Sequence, residues 1–183
     1  VYKRQFGHIA INVDEMHIDM LSASGHKFHG PKGVGFLYAR KNQDLSSFIH
    51  GGSQERGKRA GTENVAGIVG MAQALVIAAQ EMPYTRGKLT RLRNYFAERV
   101  RHEIPNIRLN GHPYKRLPGN VNFSIEGIDA TALLVLLEEE GICASAGSAC
   151  NTGQTRISHV IEAIRVPENY AAGSVRFTMG RDL

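Results

Sequence analysis

The stretch Ser24–Lys32, SGHKFHGPK, lies between two apolar runs, Ile18–Ala23 and Val34–Ala39. Two short apolar runs closed by a loop with glycine and proline read as strands joined by a turn. Val34–Ala39 is apolar throughout, which predicts a strand buried on both faces. The turn itself needs glycine and proline. It does not need two histidines and two lysines as well. Basic nitrogen set where glycine lets the backbone approach a ligand marks this loop as a candidate anion site.

Around this loop the chain alternates between strand and helix patterns. Ile9–Val13 and Ile18–Leu21, split by the acidic DEMH, read as two short strands or as a strand and a turn. Ser46–Gly61 is polar and glycine-bearing, hence a loop. Asn64 is placed to cap a helix running to about Glu81, which Pro83 and Gly87 are expected to break. A second helix over about Lys88–Glu103 carries Leu89, Leu92, Phe96 and Val100 at helical spacing. IRLNGH reads as a strand entering an Asn-Gly turn. The alternation of Val121, Phe123 and Ile125 predicts a half-buried strand. Asp129 and Gly141 bracket a helix. Ile142–Ala144 is expected as a short strand, Ile157–Ile164 as a helix and Ser174–Met179 as a last strand. Such alternation favours an α/β class, with one domain over residues 1–82 and a second over 83–183.

Composition excludes several other classes. An apolar content of 42% and a charged content of 21% are ordinary for a globular protein. No uninterrupted apolar run reaches the roughly 20 residues of a membrane span, the longest lying around Ala130–Leu137. The net charge of +5 raises the question of nucleic acid. Its densest cluster, Arg86–Arg101, falls on an amphipathic helix without stacking aromatics, so a solvated face is the simpler reading. The chain has two cysteines, too few for a disulfide framework, and a reducing, cytoplasmic setting is expected.

Four places carry chemistry. Lys27 follows a strand, in a loop where partial desolvation makes a lysine a usable amine nucleophile. Ser24 and His26 flank it with phosphate donors. The set suits pyridoxal phosphate, although Lys32 serves as well on spacing alone and His29 reads as a loop residue. Cys150, in SAGSAC, is a thiol on a small-residue loop, able to reach a neighbouring site. Cys143, in an apolar context, reads as packing, and the pair fits no common zinc spacing. Arg176 lies inside an apolar strand, where a guanidinium needs a partner such as a carboxylate. Thr62 and Asn64 precede a helix and read either as caps or as an anion site.

Five segments, SGHKFHGPKGVGFLY, GGSQERGKRAGTENVAGIVGM, GNVNFSI, ASAGSACNTG and GSVRFTMGR, occur in this order. Together they resemble the C-terminal half of a NifS/IscS-type cysteine desulfurase, a class V aminotransferase-like enzyme, from about Phe6 onward. The resemblance implies the α/β fold type I of pyridoxal-phosphate transferases: the end of the large domain plus most of the small one. It implies Lys27 as the Schiff-base lysine, Ser24 and His26 on the cofactor phosphate, and Thr62 on the phosphate of a partner subunit in a homodimer. It implies Arg176 on the carboxylate of L-cysteine and Cys150 as the thiol that takes the sulfur. Cys150 is also a candidate transient iron–sulfur ligand. The sulfur acceptor would be an iron–sulfur scaffold or a carrier for tRNA thiolation. Other enzymes of the fold, a selenocysteine lyase or an aminotransferase, share Lys27 and Arg176, and a non-catalytic dimerisation module is the alternative from another class. In this family the aspartate and histidine that hold the pyridine ring precede the first residue here. The chain is therefore expected to be a fragment, inactive alone, with residues 1–5 foreign to it.

Overall fold

Met20–Ser24 (β1) and Gly35–Ala39 (β2) pair antiparallel, with Leu21 opposite Tyr38 and Ala23 opposite Phe36. The structure, a computed structural model, describes residues 5–146 and 157–183. β1 alternates: Leu21 and Ala23 are buried while Met20 and Ser22 are exposed. Leu21, Ala23, Ile18, Phe28 and Met71 form one core, and Phe6, Val34, Phe36 and Ala74 pack around it. The Phe6 ring meets Phe28 at 5.8 Å and Phe36 edge-on at 5.1 Å.

Ile9–Val13 forms no strand and a turn follows from Val13, so of the two readings of Ile9–Val13 and Ile18–Leu21 the pair of strands is not realised. β2 is not buried on both faces among the described residues, since Leu37 is 55% exposed. An antiparallel pair with a core on one side leaves its other face open, whatever the residues there. Gly35 is required by the pairing itself. A Cβ there would stand 2.5 Å from the Ala23 carbonyl oxygen. Gly35→Ala is expected to cost about 1–3 kcal/mol, read as a lower urea midpoint at unchanged slope.

After a single short turn, Gln54–Gly57 (α1), the helix Val65–Glu103 (α2) runs without a break. Asn64 caps it, its Oδ1 accepting from Gly67 N at 3.0 Å. Pro83 lies inside α2 and does not end it. Proline removes one rung and crowds the preceding turn, but Ala79, Gln80, Glu81 and Met82 around it are strong helix formers. By length and composition α2 is also apolar enough to cross a membrane. A search for unbroken apolar runs misses it, because Gly67, Gly70 and Gln73 interrupt the pattern. Core helices of globular domains meet the same criterion, and Met71, Ala74, Leu75 and Ala78 of α2 belong to the β1–β2 core.

The chain divides into two compact units, Val1–Tyr84 and Thr85–Leu183. The second is built on a four-stranded antiparallel sheet. Its strands are Ile107–Leu109 (β3), Asn120–Ile125 (β4), Ser145–Ala146 (β5) and Ser174–Thr178 (β6), in the order β3-β4-β6-β5. Val121, Phe123 and Val175 are almost fully buried. The ring of Phe96, on α2, meets Phe177 at 5.2 Å and Phe123 at 5.9 Å. Ala130–Glu139 (α3) starts where expected, with Asp129 Oδ1 accepting from Thr131 N and Ala132 N. Those two bonds hold the Asp129 carboxyl below its ordinary pKa. His159–Ala163 (α4) and Glu168–Ala171 (α5) complete the unit. Ile142–Ala144 is not a strand. β5 begins at Ser145, and Cys143 is exposed rather than packed.

Candidate functional site

Lys27 sits in a 3-10 turn, Gly25–Phe28, directly after β1. A 3-10 helix has three residues per turn, so positions three apart share a side. Burial follows that period. Gly25 and Phe28 are buried, Ser24 and Lys27 are half-buried, and His26 and His29 are exposed. Phe28, 1% exposed, anchors the turn in the core. Lys27 is thus the half-buried residue of the turn, and Ser24, the last residue of β1, is half-buried as well. Ser24 is the N-cap of the turn, yet its side chain makes no capping bond. His29 closes the turn in the left-handed region at φ 66, and Gly30 N donates to Gly25 O at 2.9 Å. Lys32 lies beyond the turn and is exposed.

What clamps this loop was not legible from its own residues. A Cβ on Gly70 of α2 would approach Pro31 Cγ to 2.9 Å, so Gly70 admits the proline ring against the helix. A second element is His8. Burial lowers its pKa, a hydrogen bond to the Lys27 carbonyl raises it, and the charge of His29 lowers it again. The net direction is down. His8 is therefore easier to hold neutral in the folded chain than in the unfolded one. Stability from the neutral form is complete above the ordinary histidine range and is lost as pH falls through it toward the lowered folded value. The thermal midpoint of the full-length protein should fall between about pH 7 and pH 5, and His8→Asn should flatten that fall.

Thr62 is exposed, in the loop before α2. The capping role belongs to Asn64, which leaves Thr62 outside the helix. Arg176 lies on β6, half-buried, opposite Asn122 of β4 and Ser145 of β5. Ser24, His26, Lys27 and Thr62 belong to the first unit and Arg176 to the second. Cys150 lies outside the described residues, four positions after the end of β5. Among the described residues no cluster of three or more histidine, cysteine, aspartate or glutamate side chains is placed to hold a metal ion.

The donor set of the first unit fits pyridoxal phosphate. It offers, within Ser24–Lys27, an amine on a clamped turn, a hydroxyl not engaged in capping and an exposed imidazole.

The chain is similar to known proteins over nearly all of its length. The chain is 51% identical over 174 residues to cysteine desulfurase IscS of Dictyoglomus turgidum, covering 95% of this chain and 44% of that protein. It is 47% identical over 175 residues to cysteine desulfurase IscS of Methanosarcina thermophila, covering 96% and 43%. A NifS-like protein from Rickettsia africae superposes with a TM-score of 0.88 at 28% identity, over 100% of this chain and 48% of that one. SspA, solved in complex with cysteine, does so with 0.69 at 32% identity, over 96% and 48%. The chain thus spans a little under half the length of these relatives. Its fold is that of the NifS-like pyridoxal-phosphate proteins of fold type I. The family pattern of the class V aminotransferases matches residues 4–182, and the chain belongs to the aminotransferase class-V family.

Proposed function

We propose that the full-length protein is a cysteine desulfurase, converting L-cysteine to L-alanine and leaving the sulfur on Cys150 as a persulfide. The observation that carries this is Lys27, half-buried on a turn that Gly25 and Phe28 anchor in the core, in a chain whose relatives are named for this activity.

Lys27 Nζ would hold pyridoxal phosphate covalently, with Ser24 and His26 donating to its phosphate. Thr62 would reach the phosphate in a partner subunit. Bound there, the cofactor supplies a sink for the electron pair left at the substrate's Cα. The chain's own groups do the rest. Arg176 would hold the substrate carboxylate through its planar fork. Lys27 Nζ moves the Cα proton. Cys150, as thiolate, attacks the substrate sulfur. The bond between Cβ and sulfur breaks, its electron pair stays with carbon, and the sulfur remains on Cys150. Protonation at Cβ and return of a proton to Cα give alanine.

A homodimer is supported by exposed apolar side chains, Val65 at 66% and Val69 at 62% on α2 and Phe48 at 94% in the loop before α1. The persulfide would pass to an iron–sulfur scaffold or a tRNA-thiolation carrier, with Cys150 a transient cluster ligand. Such chemistry suits a reducing, cytoplasmic setting. The test is product analysis. Full-length protein with L-cysteine and a reductant should release alanine and sulfide in equal amounts. Transamination to a keto acid without sulfide would point to an aminotransferase instead.

A further inference from the structure

We infer that Gln54 and Arg59 are positioning residues that fix the backbone of Gly61 and Thr62, and so aim Thr62 at the cofactor phosphate. The inference rests on the proposed role of Thr62. Gly61 is held on both sides. Its N–H donates to Gln54 Oε1 at 3.1 Å, and its carbonyl accepts from Arg59 Nη1 at 3.0 Å. The same Arg59 nitrogen lies 3.5 Å from the Thr62 carbonyl oxygen. The carbonyls before and after the Thr62 Cα thus turn to one guanidinium. A peptide unit is planar and trans, so φ and ψ are all the backbone freedom Thr62 has. Orienting both flanking peptides removes that freedom and sets the direction of the Cα–Cβ bond.

The loop is shaped to make these bonds. Gly61 has a φ of 105, a region closed to most side chains. A Cβ on Gly52 would stand 2.4 Å from Gln54 Oε1, so Gly52 leaves the space in which the Gln54 amide lies. Between Gln54 and Arg59 the chain turns through Glu55 at φ 52 and Arg56 at φ 58, both left-handed and neither a glycine. That conformation costs a residue with a side chain, and it persists where the surroundings over-determine it, as at ligand clamps. A plain connector gains nothing from it. Arg59 and Thr62 are exposed, where water satisfies the same carbonyls, and tying down an arginine there costs side-chain entropy. The ordering therefore serves what Thr62 does, not the stability of the loop.

The probes are pyridoxal phosphate and pyridoxal, which lacks the phosphate. Their dissociation constants from the full-length protein are measured by equilibrium dialysis. Thr62→Ala should weaken pyridoxal phosphate about tenfold or more, the loss of a hydrogen bond to a charged group, and leave pyridoxal unchanged. Gln54→Ala and Arg59→Ala should each weaken pyridoxal phosphate by about three- to tenfold, again with pyridoxal unchanged. Arg59→Lys keeps a donor for the Gly61 carbonyl and should restore most of the affinity. In the Thr62→Ala background neither alanine change should weaken binding further, because both act through the Thr62 hydroxyl. Further weakening there would mean that Arg59 or Gln54 meets the phosphate itself, and the inference falls. It falls alone, too, if Thr62→Ala weakens pyridoxal phosphate while Gln54→Ala and Arg59→Ala do not, or if these two weaken both probes equally. If Thr62→Ala binds both probes as the parent does, the role of Thr62 falls and the inference with it.

Discussion

Lys27→Ala in the full-length protein should abolish alanine formation, by about a thousandfold or more, which is the upper range of a single positioned acid–base group. The fold should survive. Gly25 and Phe28 carry the packing of the turn, while Lys27 lies on its half-buried flank. Exposed and half-exposed positions outside such contacts change stability by about half a kcal/mol or less. A circular-dichroism melt alongside the alanine assay separates the two effects. Added methylamine should restore part of the rate, because it replaces the missing amine without touching the chain. Lys32→Ala, beyond the turn and exposed, should keep parental activity. Equal losses in both variants would mean that the loop acts through its charge and not through one amine.

Cys150→Ala should remove sulfide release in the presence of reductant, to the background of the assay. Alanine formation should fall with it, since the sulfur then has no nucleophile to receive it. Cys143 provides the control. It is the other cysteine, and it is exposed, so access alone does not distinguish the two. Cys143→Ala should leave both products unchanged. Sulfide release at the parental rate from Cys150→Ala would remove that residue from the mechanism. Release lost only in Cys143→Ala would move the role to the strand edge before β5.

The sequence carried the local signals well and the long-range ones poorly. Strands β1, β4 and β6, the Asn64 and Asp129 caps and the stop at Gly141 follow from alternation and capping chemistry, which are properties of neighbouring residues. The continuity of α2 through Pro83 did not follow, because a breaker's effect depends on the turns on both sides. The exposed face of β2 was hidden for another reason. A fully apolar strand has the same pattern whether one face or two are covered, and only pairing decides.

The candidate site divides in the same way. Ser24, His26 and Lys27 stood out because their residue types are costly to concentrate in a turn. What distinguishes Lys27 from Lys32 is the three-residue period of the turn, visible only once Gly25 and Phe28 are seen buried. Gly70 and His8 gave no signal, since one acts by lacking a side chain against Pro31 and the other through a backbone carbonyl.

The most direct test of the account is the location of the cofactor bond. Full-length protein is incubated with pyridoxal phosphate, reduced with borohydride, digested and mapped by mass spectrometry. The account predicts a pyridoxyl group on Lys27, absent from Lys27→Ala. A stable adduct on Lys32, on Lys58, or on no lysine of this chain would contradict it.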